Sequence, residues 1–222
     1  MIVAVMQPYF FPYIGYWKLM EACDYFVVFD DVHYINKGFI DRNTIIENGQ
    51  RRYIKLKVAN RSQNSLICDL KVHEKPLDVA KTTYHAYKKA PFFKDCFPVV
   101  EEICDSDEIS LSQFLMFAIQ RLAAFLSIDC KLILSSSIKS HHSGKDKIIP
   151  MVKHLGGTSY VNMEGGASLY DQRLFDRAGL ELDFISADDP SALSARVEAY
   201  GNLSIIHSLM HFGPGGVREA IL

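Results

Sequence analysis

Residues Ile2 to Met6 form an unbroken apolar run that stops at Gln7-Pro8, and Tyr25 to Phe29 form a second that stops at Asp30-Asp31. Runs this short and continuous suit strands buried on both faces, the pattern of a parallel sheet. Between them, Pro8 and Pro12 forbid a regular helix around Tyr9, Phe10 and Phe11, so this stretch is an ordered loop. Tyr16 to Ala22 then reads as a helix. A strand–loop–helix–strand opening predicts an α/β domain with a mostly parallel, Rossmann-like sheet. If the crossover is right-handed, Gln7 and Asp30 stand on the same rim, at the carboxyl ends of neighbouring strands, where ligands of such sheets gather.

The remaining chain continues this pattern around a helical interruption. His33 to Asn43 is polar and irregular. Arg52 to Val58 alternates with period two, and the Asn48-Gly49 pair before it is a hairpin-turn signal. Leu66 to Val72 is a further strand candidate. From Pro76 the texture becomes helical, with helices over Leu77–Lys89, Phe92–Cys104 and Leu111–Ser127; the last carries Phe114, Phe117, Leu122 and Phe125 on one face. Lys131 to Leu134, Ser159 to Val161 and Leu182 to Ile185 read as strands, and Lys145–Leu155, Leu169–Ala178 and Leu203–Met210 as helices. Gly156-Gly157 and Gly179 are the stops of two of these helices, and Phe212 to Gly216 reads as a turn. The organisation predicted is one compact unit: an N-terminal α/β half over 1–75, a helical insertion over 76–127 and a C-terminal α/β half over 128–222.

Bulk properties narrow the partners. The chain of 222 residues is 49% hydrophobic, enough for a real core. Its 24 basic and 26 acidic side chains leave a formal charge of −2, which argues against nucleic acid as the main partner. No run approaches the roughly 18 apolar residues of a membrane span. Five scattered cysteines, without a CxxC pair, point to free thiols in a reducing compartment and to no metal site. A cytoplasmic location is the resulting expectation, with the oligomeric state left open.

Four segments could carry chemistry. In the first, Gln7, Tyr9 and Gly15 belong to the aromatic loop. Its position matches that of the HxGH loop of nucleotidylyltransferases, where a glycine lets a helix N-terminus approach phosphate, although both histidines of that motif are missing here. The second holds Asp30, His33, Lys37, Arg42 and Asn43. A strand-end carboxylate with His33 could serve as the catalytic pair, and Arg42 could take a phosphate or carboxylate in bidentate fashion. The third is Ser135-Ser136-Ser137 with Lys145, a candidate phosphate holder; the adjacent His141-His142 lack the spacing of a helical metal pair. The fourth is Asn162 with Gly165 and Gly166, whose glycines permit close backbone approach to a ligand. GxGxxG, GxSxG, HExxH and Walker-type motifs are all absent from the sequence.

Several of these segments, taken in order, resemble the WbqC-like protein family. They are Gln7 to Tyr16; Asp30 to Tyr34 with Lys37 and Asp41-Arg42-Asn43; Tyr87 to Phe93; Tyr160-Val161-Asn162 with Gly165-Gly166 and Leu169-Tyr170; and Leu203 to His207 with Gly213-Pro214. His33 and Asp41 depart from the family, which often has Gln and Asn there. The resemblance implies a setting in surface polysaccharide and nucleotide-sugar pathways. The expected activity is that of a transferase or ligase on an amino sugar or nucleotide-activated sugar, with transfer of a small acyl or aminoacyl group, and with ATP or a nucleotide-sugar as the cofactor to test. The alternative is a non-catalytic sugar- or nucleotide-binding accessory protein.

Overall fold

The computed structural model describes residues 1–139, 142–186 and 203–222. Five parallel strands form the central sheet: β1 (Ile2–Met6), β2 (Tyr25–Val28), β7 (Lys131–Leu134), β8 (Ser159–Met163) and β9 (Glu181–Ile185). Their spatial order is β7-β2-β1-β8-β9. The pairing of Val3 with Tyr25 and of Ile2 with Ser159 puts β1 between β2 and β8. Alternate side chains therefore enter two separate cores. Ala4, Phe26, Val28 and Val161 face one core, with helices α1 (Ile14–Glu21), α4 (Leu111–Phe125) and α7 (Ile205–Ile221). Val3, Val5, Val27 and Tyr160 face the other, against α5 (Ile148–His154) and α6 (Gln172–Ala178). This is the α/β, Rossmann-like architecture that the two opening apolar runs predict.

Between β2 and β7 the chain makes a long excursion. It forms an antiparallel hairpin, β3 (Arg42–Glu47) with β4 (Gln50–Lys55), and a small ladder, β5 (Val58–Ala59) with β6 (Lys71–Val72). Helices α2 (Leu77–Tyr87) and α3 (Phe93–Cys104) follow, and then α4. Asn48 and Gly49, both at positive φ, make the two-residue turn foreseen from their identity. The α4 stripe is buried at Phe114 and Leu122 and partly buried at Phe117 and Phe125.

Three local readings are corrected. The stretch ending at Asn43 is not wholly irregular, because Arg42–Glu47 pairs residue by residue with β4 and gains a ladder that its own sequence does not announce. Leu66–Val72 supplies only the short β6 after a 3-10 turn over Ile67–Asp69. The C-terminal helix runs on to Ile221 through the predicted turn: Gly213, at φ 69 and ψ 174, kinks the chain, and Pro214 then opens a second helical segment.

Candidate functional site

The strand order reverses between β1 and β8. The chain leaves β1 towards α1 on one face of the sheet, while the connections flanking β8, through α5 and α6, lie on the other. The diverging connections leave a crevice at the carboxyl ends of β1 and β8, the place where open α/β sheets bind ligands. A cavity of about 520 Å³ occupies it. Val5, Met6, Phe29, Ile148 and Met163 form apolar walls, and Gln7, Tyr9, Tyr13, Lys145, Asn162 and Tyr170 supply polar groups. Gly165 and Gly166, in the 3-10 turn Glu164–Leu169 that follows β8, complete one edge.

The aromatic loop is held from behind. Phe10 and Phe11 are fully buried, and Phe11 takes φ 46, a costly conformation for a bulky residue. Asn43 fixes it: its Nδ2 donates to the carbonyl oxygens of Phe10 and Phe11 at 3.2 and 2.8 Å. The Ser204 hydroxyl donates to the same Phe11 carbonyl, and Trp17 Nε1 donates to that of Pro12. With its two phenylalanines in the core, the loop presents Tyr9 and Tyr13 to the cavity. Burial, with the neighbouring Tyr13 adding to it, pushes the Tyr9 phenol up to about 12, and burial raises Tyr13 as well. Both are neutral hydroxyls at ordinary pH. Gly15 keeps this wall in place, since a Cβ there would stand 2.8 Å from the Tyr13 ring and 3.2 Å from the Met163 methyl.

On the opposite wall, three side chains form a closed hydrogen-bond set. Asn162 Nδ2 donates to the hydroxyls of Tyr160 and Tyr170 at 2.8 and 2.7 Å, and those hydroxyls lie 2.8 Å apart. The amide orientation is set by the Met163 N–H, which donates to Asn162 Oδ1 at 2.7 Å. Tyr160 is fully buried and stacked on Phe175, whereas Tyr170 is half-buried. Gln7 and Lys145 have no side-chain partner among the described residues, so both remain available to a ligand.

The structure divides the candidate residues of the four segments between separate places. Gln7, Tyr9, Lys145, Asn162, Gly165 and Gly166 line the cavity, and Gly15 shapes its wall. Asp30, Ser135 and Ser136 share the carboxyl rim but form their own cluster at the β2–β7 end. Asp30 is fully buried and accepts from Ser135 Oγ, Ser136 N and Ser136 Oγ at 3.0, 2.9 and 2.8 Å. Its acceptor sites are taken up in joining two strands. Arg42 donates to the Gly38 carbonyl and lies over the Tyr53 ring, and Asn43 is spent on the aromatic loop. His33 and Lys37 are exposed and are not among the residues lining the cavity; His33 forms an isolated bridge to Leu66. His141 lies outside the described residues.

Tyr13 and Tyr170 lie in segments that the sequence singles out, but they and Tyr160 have no role assigned from sequence, and the part-buried ion pair of Lys147 with Asp31 is not foreseen either. The spacing Tyr160-x-Asn162 was the available signal: period two puts both side chains on one face of a strand. Among the described residues, no three His, Cys, Asp or Glu side chains are grouped to hold a metal ion, and no helix is long and apolar enough to cross a membrane.

Comparison with known proteins places these features in a family context. The WbqC-like protein family model matches residues 7–219, a span that includes every cavity residue after Met6. An uncharacterized protein of Mycobacterium tuberculosis, Rv1507c, is 22% identical over 194 residues, covering 84% of this chain and 82% of its own. No solved structure matches the chain.

Proposed function

The chain belongs to the WbqC-like protein family, and on that premise we propose that it binds a sugar or nucleotide-activated sugar in the cavity between β1 and β8 and acts on it as a transferase or ligase in surface polysaccharide synthesis. The observation that carries the reading is the cavity itself. Its volume of about 520 Å³ lies within the range of small-molecule sites, and it sits at the strand reversal. Its chemistry fits a polyhydroxylated ligand with a ring: Tyr9 and Tyr13 offer aromatic faces, Gln7 offers both a donor and an acceptor, and Lys145 offers a positive charge.

The accessory-protein reading is favoured by one specific observation. Among the described residues, no carboxylate, imidazole or thiol lines the cavity, so the described lining supplies no conventional general base. The transferase reading then places catalysis in positioning two substrates and in stabilising charge through Lys145. Thermal unfolding with UDP-, dTDP-, GDP- and CMP-linked sugars, and separately with ATP, tests binding. A ligand at a hundred times its dissociation constant adds about 2.7 kcal/mol, a rise of roughly 5–10 °C for a domain of this size. One nucleotide-sugar should give that rise in the wild type and not in Asn162→Leu. Absence of a shift with every compound would overturn the reading. Turnover assays with the compound that binds then separate enzyme from accessory protein.

A further inference from the structure

The hydrogen bonds around Tyr170 leave one proton unassigned, and its direction can be worked out. Both Nδ2 protons of Asn162 are used, one on each tyrosine hydroxyl. The remaining contact, between the two hydroxyls, must have one donor. Tyr160 is fully buried, and beyond Tyr170 its hydroxyl has no acceptor among the described residues. A buried hydroxyl proton without an acceptor is costly, so Tyr160 donates and Tyr170 accepts. The Tyr170 oxygen then receives two hydrogen bonds, and its own proton is left without an acceptor among the described residues. Tyr170 can offer a ligand a donor and nothing else.

A second compartment adjoins the first. A groove of about 690 Å³ runs between α5 and α6, and it shares Lys145, Ile148, Leu169 and Tyr170 with the cavity. Lysine is also a donor without acceptor capacity. The two donor-only groups therefore both stand at the junction of the two compartments. The outer groove carries His142, Asp146, Asp171 and Arg177, a mixture of signs rather than a second cationic site.

We infer that Tyr170 and Lys145 grip a phosphoryl group at this junction, with the organic parts of the ligand lying on either side, one in the cavity and one in the groove. The inference rests on the nucleotide-sugar reading and makes it specific. A carboxylate is a terminal group and cannot bridge two compartments, whereas a phosphodiester or diphosphate is a linker between two moieties.

Calorimetric titration with inorganic pyrophosphate tests the junction without needing the natural ligand. Malonate at matched ionic strength is the carboxylate arm. Wild type should bind pyrophosphate, and Tyr170→Phe, which keeps the ring, should bind it roughly tenfold to a hundredfold more weakly, as expected for loss of a hydrogen bond to a charged group. Lys145→Gln, at an exposed position, provides the same test if Tyr170→Phe does not fold. Failure of wild type to bind pyrophosphate, equal binding by wild type and the folded variant, or equal binding of malonate would each overturn the inference. If the sugar-nucleotide panel fails but pyrophosphate binding depends on Tyr170, the junction stands and the proposed function falls. If a nucleotide-sugar binds wild type and Tyr170→Phe equally, the reverse holds.

Discussion

Asn43 is the residue on which the cavity wall depends most. It is buried, and one carboxamide satisfies two loop carbonyls while its Oδ1 accepts the Thr44 N–H at 2.8 Å. Truncation to alanine would leave buried groups unpaired and release a strained Phe11, so Asn43→Ala should destabilise the protein by about 2–3 kcal/mol in urea unfolding. A loss below about 0.5 kcal/mol, the ordinary range of an inconsequential surface change, would contradict the bracing role. His207 gives a pH-dependent counterpart. Burial, with His211 adding to it, lowers its pKa to about 4, from an ordinary 6.5. The unfolded chain takes up a proton near 6.5, but the folded chain does not until about 4. The stabilisation is therefore fully present above 6.5 and is lost as pH falls towards 4, by on the order of 2–3 kcal/mol. Unfolding free energies at pH 7 and pH 5 should show this slope in wild type, and His207→Gln should flatten it. An unchanged slope in the variant would sink the assignment. The sequence makes Asn43 visible as a polar residue near a site but not as a brace, because the loop carbonyls it holds lie more than thirty positions away.

At the scale of elements, strands were easier to read than what joins them. Lys131–Leu134 is a strand at its expected bounds, since an apolar run between polar residues carries its own signal. The β3 strand was missed because Arg42-Asn43-Thr44-Ile45-Ile46-Glu47 alternates poorly and gains its order from β4. The C-terminal helix was cut short because Gly213-Pro214 looks like a stop from local rules alone, whereas Phe92 packs against the kink and the chain resumes. A Cβ at Gly213 would stand 2.6 Å from the Phe92 ring, on a backbone at positive φ. Gly213→Ala should therefore lower stability by about 1–3 kcal/mol in thermal or urea unfolding, through both strain and overpacking. A neutral result would mean that the kink is not held against α3.

At the scale of the whole molecule, the sheet order decides the site. β1 lies centrally, and the first loop of the chain meets the β8 turn only because the strand order reverses there. The paired apolar runs made the carboxyl rim legible. They cannot say which strand lies on the other side of β1, and so do not reveal that the rim holds two assemblies. The Asp30–Ser135–Ser136 cluster joins β2 to β7, and the cavity opens between β1 and β8. The central claim is that this cavity is where the ligand binds. A co-crystal structure with the nucleotide-sugar that gives the largest thermal shift is the most direct test. The account predicts ligand density between Gln7 and Asn162, with its phosphate against Tyr170 and Lys145; density beside Asp30 or Arg42, with the cavity empty, would contradict it.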